Sequence, residues 1–245
     1  MADAPPLLRR TIVTTRERRG ELDRRLVGLG AEVVHVPLIE TAEPADGGAA
    51  LGAALADIDR YDWVIVTSPN GAERVGASLR AARCRVAAVG TRTAAVVAGL
   101  AARSPDVVPP RQTAADLVAA MPRPAGAERI LLAQADRAAP TASVGLAGLG
   151  YRVDAVTAYR TVLRHPTPAE RAAMLAADAV VFASGSAVEA WAAAIGVETP
   201  PVVAAIGPAT AAVADRCGVK VTAVATDHSI DGLVTAVVHV LGADP

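Results

Sequence analysis

An internal duplication constrains the fold of this chain more than any other feature of its sequence. The segment Val86–Val96, which reads VAAVGTRTAAV, returns as VAAIGPATAAV at Val203–Val213, an offset of 117 residues. Upstream of each copy, Asp62–Asn70 returns as Asp178–Ser186 with an offset of 116. A solenoid repeats every 20 to 50 residues, so a period this long indicates a duplicated domain.

A second segment is duplicated as well. The pattern Leu-x-Gly-Leu-Gly at Leu26–Gly30 recurs at Leu146–Gly150, 120 residues later. With this segment written as A and the segment that follows it as B, the chain reads A-B-A-B. Two similar lobes predict a cleft between them, and clefts between lobes commonly bind small ligands.

Composition narrows the class of protein. Hydrophobic residues make up 52% of 245 residues, enough for two modest cores. Lys and Arg total 24 against 25 Asp and Glu, and aromatics are 2%, so neither a basic face nor base stacking indicates a nucleic-acid partner. No secretory signal opens the chain and no apolar run reaches the roughly 18 residues of a membrane span. We therefore expect a soluble, cytoplasmic monomer with no membrane contact, and Cys84 and Cys217 as free thiols.

Valine-rich strands alternate with helical segments in both copies, which predicts an α/β fold. Each lobe should be a doubly wound parallel sheet with helices on both faces. Gly30 and Gly150 end helices that precede strands, so the nearby Gly-x-Gly pairs are no dinucleotide fingerprint. The stretches 37–59 and 157–167 fit neither repeat. Both follow the second strand of an A unit and begin as strands, so we expect them to cross between the lobes and to pair as a two-stranded ribbon.

Two turns in the B units end a buried strand at glycine and continue into a helix. They read Gly90-x-x-Thr93 and Gly207-x-x-Thr210, and we predict that Thr93 and Thr210 are the N-caps. A helix N-terminus attracts carboxylates and phosphates, and doubly wound folds place ligands at the carboxyl ends of their strands. A single such turn is equally typical of an ordinary cap. The duplication, however, predicts several helix starts around one cleft, which would suit a polyanion.

A second pair of helix starts carries serine and asparagine. Asn70-x-x-Glu73 and Ser186-x-x-Glu189 read as capping boxes, which would leave Ser68 and Ser184 free in the loops ahead of them. We predict that Ser68, Asn70, Ser184 and Ser186 bind substrate.

Two further side chains are candidates for chemistry. Tyr159 lies in a crossing segment, where it either packs as a strand residue or donates a proton from its phenol. Arg16 follows the first strand, where it is either a solvated loop residue or a bidentate partner for a carboxylate. The four histidines lack metal-ligand spacing, so we predict no metal site.

Together these residues resemble the uroporphyrinogen-III synthase family over nearly the whole chain. The resemblance is carried, in chain order, by Ile12–Arg16, Val36–Thr41, Val66–Gly71, Ala88–Thr93, Val156–Thr161, Ala205–Thr210 and Gly232–Val234. One stretch departs from the family. After the strand ending near Ala133 the family often carries Arg-Gly and a further Arg, whereas this chain has Gln134–Ala139 with Arg137 as its one basic residue.

The resemblance implies a cofactor-free enzyme. Its substrate is the linear tetrapyrrole hydroxymethylbilane, a polycarboxylate, which it cyclises with loss of water and inversion of ring D to give uroporphyrinogen III in tetrapyrrole and heme biosynthesis. The family also points to Tyr159 as the general acid for water loss. A transient contact with the preceding enzyme of the pathway is a further expectation.

The resemblance also implies how the duplicated units assemble. The first A unit joins the last B unit, so one lobe comprises residues 1–36 and 167–245 and the other comprises 47–155. Residues 37–46 and 156–166 then form the ribbon that links the lobes and acts as a hinge. Pairing of Ile12 with the strand at 62–66 would contradict this arrangement.

Two alternatives remain at the level of sequence. One is a two-lobed sensor of small anions that binds without catalysis, and the other is an inactive homologue, suggested by the altered loop at 134–139.

Overall fold

Strands alternate with helices through residues 4–242, the part of the chain that the computed structural model describes. The strands are β1 Thr11–Thr14, β2 Glu32–His35, β3 Ile39–Ala42, β4 Trp63–Val66, β5 Arg85–Ala88, β6 Arg129–Ala135, β7 Arg152–Leu163, β8 Ala179–Phe182, β9 Val202–Ala205 and β10 Ala223–Val224. The α-helices are α1 Glu21–Gly28, α2 Ala49–Ala56, α3 Pro69–Leu79, α4 Thr91–Ala101, α5 Ala114–Ala120, α6 Thr141–Gly148, α7 Pro168–Leu175, α8 Gly185–Ala194, α9 Pro208–Arg216 and α10 Ile230–Leu241. The predicted α/β class with parallel sheets is confirmed.

The strands form two five-stranded sheets. The first has the order β10-β9-β8-β1-β2 and the second has the order β3-β7-β6-β4-β5. In both sheets the pairings among strands other than β3 are parallel. The strand β3, from the first segment that fits neither repeat, lies beside β7 at the edge of the second sheet.

Each sheet combines an A unit with the B unit of the other copy. In the first sheet Ile12 of β1 pairs with Val33 of the same A unit and with Ala179 of the second B unit. In the second sheet Ile65 of β4 pairs with Ala87 and Leu132. The first A unit therefore completes the sheet of the second B unit, and the second A unit completes the sheet of the first.

The chain groups into two compact units. The first unit combines the described residues up to Glu40 with those from Val162 onward, and the second runs Thr41–Thr161. The chain thus passes between the units inside the segments 37–46 and 156–166. The lobe bounds proposed from the sequence stay a prediction.

Both faces of the first sheet are covered by helices. Ile12 packs on one face with the helices α1 and α10, while its neighbour Val13 packs on the other with α8 and α9. On that second face the rings of Phe182 and Trp191 meet edge to face with centroids 5.7 Å apart. A strand buried on both faces needs apolar residues at every position, which explains the uninterrupted valine-rich runs.

The second sheet is built in the same way. Val64 packs with α3 and α4 on one face, and Ile65 packs with α5 and α6 on the other. Both side chains are fully buried.

Gly30 and Gly150 end α1 and α6, as predicted, with positive φ angles of +92° and +104°. Their surroundings differ. A Cβ at Gly30 would lie 2.8 Å from Cβ of Pro5, whereas a Cβ at Gly150 would have Cγ of Pro124 as its nearest neighbour at 3.4 Å.

This difference predicts unequal costs for the same substitution in the two copies. Gly150→Ala should lower the free energy of unfolding by about 1–2 kcal/mol, the cost of a side chain in left-handed backbone. Gly30→Ala should lower it by about 1–3 kcal/mol more, because the new methyl group also overpacks. Chemical denaturation measures both values, with Gly28→Ala as the control, since a Cβ there meets nothing within 4 Å. Equal losses at Gly30 and Gly150 would contradict the analysis.

Candidate active site

Helices begin at the carboxyl ends of the parallel strands in both units. In the second unit the N-caps of α3, α4 and α5 are Ser68, Gly90 and Thr113. In the first unit the N-caps of α8, α9 and α10 are Ser184, Gly207 and Ser229. The duplication therefore produces two matching sets of three helix starts.

Ser68 and Ser184 are N-caps and do not stand free in their loops. Oγ of Ser68 accepts the N–H of Gly71 at 3.0 Å, and Oγ of Ser184 accepts the N–H of Ala187 at 3.3 Å. The prediction that Asn70 and Ser186 cap these helices is therefore wrong.

Asn70 and Ser186 instead lie in the first turns of α3 and α8. The sequence held a signal for this at Pro69, because proline is favoured at the first helical position and marks the residue before it as the cap. The repeat then carries the assignment from Ser68 to Ser184.

Thr93 and Thr210 are not N-caps either. The helices α4 and α9 begin directly after Gly90 and Gly207, which places both threonines at the third helical position, 3% and 5% exposed. Pro208 at the first position of α9 was again the signal that the cap precedes it.

A side chain from the next loop packs against each of these glycine caps. A Cβ at Gly90 would lie 2.4 Å from Oε1 of Gln112, and one at Gly207 would lie 2.8 Å from Cδ2 of His228. Gln112 Oε1 also accepts the N–H of Thr91 at 3.1 Å, so it satisfies one amide at the start of α4. Glycine at these caps thus allows a neighbouring polar side chain to approach the helix end.

Tyr159 and Ser68 form a hydrogen-bonded pair. Tyr159 lies on β7 and is 7% exposed, and its O–H donates to Oγ of Ser68 at 2.9 Å. Ser68 Oγ therefore accepts from both the phenol and the first turn of α3. The sequence identified both residues but gave no indication that they meet.

The first turn of α3 is also tied to the edge of its sheet. Nδ2 of Asn70 donates to Oγ1 of Thr41 on β3 at 2.8 Å. Arg74 pairs with the carboxylate of Glu43, whose backbone carbonyl accepts Nε of Arg160 at 2.7 Å. These contacts join α3 to β3 and to Glu43 just after it, and they join Glu43 to the residue that follows Tyr159 on β7.

The loop that departs from the family pattern contacts the same strand. The N–H of Asp136 donates to the carbonyl of Tyr159 at 3.0 Å, and Oδ1 of Asp136 accepts the N–H of Thr161 at 3.4 Å. Arg137 is exposed. Oε1 of Gln134 is buried without a hydrogen-bond partner among residues 4–242.

In the first unit the loop after β1 carries Arg16, which is exposed and makes no ion pair or hydrogen bond within the described residues. Beside this loop lies a polar trio of the buried Thr14 and Asp23 and the half-buried His35. Oγ1 of Thr14 donates to Oδ1 of Asp23 at 2.7 Å and lies 3.0 Å from Nδ1 of His35.

Burial lowers the pKa of His35, the nearby Asp23 carboxylate opposes that shift, and Arg19 adds to it. Sequence reasoning missed this trio because its members come from three separate elements and follow no motif spacing.

The predicted site residues therefore fall into two groups. Ser68, Asn70, Thr93 and Tyr159 belong to the second unit, and Arg16, Ser184, Ser186 and Thr210 belong to the first. In the first unit Oγ of Ser184 and Oγ of Ser186 lie 3.0 Å apart. Within residues 4–242, no group of three or more His, Cys, Asp and Glu side chains is arranged to hold a metal, and no helix is long and apolar enough to cross a membrane.

The fold and these helix starts define a doubly wound α/β protein with two parallel sheets and a tyrosine hydroxyl held at the N-terminus of a helix. A family model described as uroporphyrinogen-III synthase HemD matches residues 20–235. The chain belongs to the uroporphyrinogen-III synthase family.

Individual relatives agree with this assignment. The chain is 33% identical to the uroporphyrinogen-III synthase of Synechococcus elongatus over 135 residues, which are 51% of this chain. The match spans 50% of that relative's length.

Two solved structures share the fold. The crystal structure of uroporphyrinogen-III synthetase from Helicobacter pylori superposes with a TM-score of 0.63 at 16% identity, covering 94% of this chain and 99% of that one. A mutant uroporphyrinogen III synthase from the extremely thermophilic bacterium Thermus thermophilus gives a TM-score of 0.55 at 19% identity, covering 96% and 99%.

The corrected cap assignment predicts unequal losses of stability for substitutions at Ser184 and Ser186. Ser184→Ala should lower the free energy of unfolding by about 1 kcal/mol, the usual cost of losing a side-chain N-cap. Ser186→Ala should cost well under half of that, because alanine is the better helix former inside the first turn. Urea denaturation of the two variants compares them directly. A larger loss for Ser186→Ala would restore the original assignment.

Proposed function

We propose that this chain is a uroporphyrinogen-III synthase, a lyase that cyclises hydroxymethylbilane and inverts its ring D. The family match over residues 20–235 is the observation that carries the proposal. The donor arrangement at Ser68 and Tyr159 supports it, because the reaction needs a proton donor for the departing hydroxyl group.

The chemistry makes modest demands on acid–base groups and strong demands on geometry. Loss of the terminal hydroxyl as water gives an azafulvene, which the substituted carbon of ring D attacks to form a spiro intermediate. Fragmentation and reclosure then give the type III isomer. Because closure without inversion is the unassisted path, the protein contributes chiefly by folding the substrate and holding its reacting atoms in place.

In this proposal Tyr159 donates the proton that lets the hydroxyl leave as water. Without substrate its O–H donates to Ser68 Oγ, the cap at the positive end of α3, and on substrate binding that proton turns from Ser68 to the departing hydroxyl. That end of the helix stabilises negative charge that develops on the phenol oxygen as the proton leaves. The phenol regains a proton when the substrate gives up its own during closure, so the enzyme returns to its starting state.

The helix starts and Arg16 are proposed to bind the acetate and propionate side chains. The turns at Ser68 and Asn70 and at Ser184 and Ser186 supply backbone N–H groups at a positive helix end. Thr93 and Thr210 are buried, so in this proposal their turns act through backbone amides. Arg16 adds an exposed guanidinium, which can bind a substrate carboxylate through two parallel hydrogen bonds.

We further propose that the enzyme works in the cytoplasm as a monomer with at most a transient contact to the preceding pathway enzyme. The composition supports this, because net charge is near zero and neither nucleic-acid nor membrane binding is indicated.

The activity is tested by incubating the protein with enzymatically generated hydroxymethylbilane and resolving the type I and type III products. The proposal expects type III. Type I alone, in the amount that forms without protein, would mean that the chain does not catalyse the reaction.

Tyr159→Phe tests the role of the phenol in the same assay. We expect kcat to fall by about 10- to 100-fold, at or below the lower end of the range for general acid catalysis, with type III still formed because the azafulvene forms readily. Tyr151→Phe is the matched control, because that tyrosine is buried just before β7 and donates to the carbonyl of Pro122 at 2.7 Å. Full activity of Tyr159→Phe would remove the acid role.

A further inference from the structure

We propose that Asp23 is a positioning residue that fixes both ends of the loop carrying Arg16. The inference rests on the proposed function, in which Arg16 binds a substrate carboxylate. It adds the hydrogen bonds to Asp23 that hold the loop, and therefore the guanidinium, in place.

The two oxygens of one carboxylate bind the two sides of this loop. Oδ1 accepts the hydroxyl of Thr14, the last residue of β1, at 2.7 Å. Oδ2 accepts the N–H of Gly20, the N-cap of α1, also at 2.7 Å. The loop 15–19 thus begins and ends at groups bound to Asp23, and Arg16 lies inside it.

The network is buried and extends to β2. Asp23 is 3% exposed and Thr14 is 1% exposed. Nδ1 of His35 lies 3.0 Å from Thr14 Oγ1 and 3.5 Å from Asp23 Oδ1. The carboxylate of Asp23 therefore joins the end of β1 to the start of α1, and its burial keeps water from competing for these two hydrogen bonds.

The second copy of the A unit shows that the fold does not require this trio. Thr14 pairs with His35 in the first sheet, and the equivalent pair in the second sheet is Leu132 with Ala155. The helix position of Asp23 is occupied there by Ser143, which lies at the same place in α6. A buried carboxylate is costly unless fully hydrogen-bonded, and the other copy forms the same strand–helix–strand unit with two apolar residues and a serine. The trio is therefore specific to the loop that carries Arg16.

Hydrogen exchange tests the positioning without any assumption about activity. In Asp23→Asn an uncharged amide replaces the carboxylate, so the two charge-assisted hydrogen bonds from the Gly20 N–H and the Thr14 hydroxyl are lost or weakened. We expect the amide of Gly20 and its neighbours in 15–19 to exchange at least about tenfold faster, as local opening becomes easier. Ser143→Ala, the matched change in the second copy, should leave the exchange of this loop unaltered.

Kinetics test the link to Arg16. Arg16→Gln should raise KM for hydroxymethylbilane by about tenfold, and Asp23→Asn should raise it by a similar or smaller factor with little change in kcat. The double variant should resemble Arg16→Gln alone, because a misplaced loop has nothing further to lose once the guanidinium is gone. A merely structural role for Asp23 would instead multiply the two effects.

Substitutions at Thr14 guard against a variant that fails to fold. Thr14→Ser keeps the hydroxyl and should retain the wild-type KM and the wild-type exchange rates of the loop. Thr14→Val removes the hydrogen bond from the Thr14 hydroxyl to Asp23, so KM and loop exchange should rise by less than in the Asp23 variant. Unchanged loop exchange in Asp23→Asn would overturn the proposal, as would independent effects of Asp23 and Arg16 on KM. If the wild-type protein made no type III product, the proposed function would fail while the exchange result still decided the role of Asp23.

Discussion

Parallel strand pairing is the constraint on which the rest of this structure depends. In a parallel sheet each strand is followed by a crossover connection. The carboxyl ends of all strands, and the starts of the helices that follow them, therefore lie on the same side of the sheet. The carboxyl ends of the second sheet carry Ser68 and Gly90, and those of the first carry Ser184, Gly207 and the Arg16 loop. Apolar residues fill the faces of the sheets, and the residues that begin the following helices lie at the carboxyl ends of the strands.

The duplication gives the same helix starts twice, and the chain then uses them differently. In the second unit Ser68 receives the hydroxyl of Tyr159, whereas the equivalent Ser184 lies against Ser186. Gln112 approaches one glycine cap and His228 the other. The A units diverge as well, because within residues 4–242 only the first A unit has a buried carboxylate, Asp23, beside its loop. The two copies share a fold and differ in the groups that reach its edge, as expected where function resides in sites placed on a common scaffold.

The repeats and valine-rich runs were enough to predict two parallel sheets and the glycines that end α1 and α6. The predicted N-cap positions were wrong because serine, threonine and asparagine lie close together at these helix starts. The prediction followed the capping-box pattern and overlooked Pro69 and Pro208, each of which marks the residue before it as the cap. Contacts between segments far apart in the chain could not be predicted from the sequence. Tyr159 and Ser68 are 91 residues apart, and Asp23 meets Thr14 and His35 only when a strand, a helix and a second strand pack together. The hydrophobic periodicity that predicts helices and strands carries no information on which distant side chains come into contact.

Resolved amide shifts on product binding test most directly whether the helix starts at the carboxyl ends of each sheet recognise the substrate. In a titration of ¹⁵N-labelled protein with uroporphyrinogen III kept reduced, the largest shifts should fall on the amides that open α3, α4, α8 and α9, and on the loop that carries Arg16. Shifts confined to the amino ends of the strands, around Asp62 and Asp178 just before β4 and β8, would contradict the account.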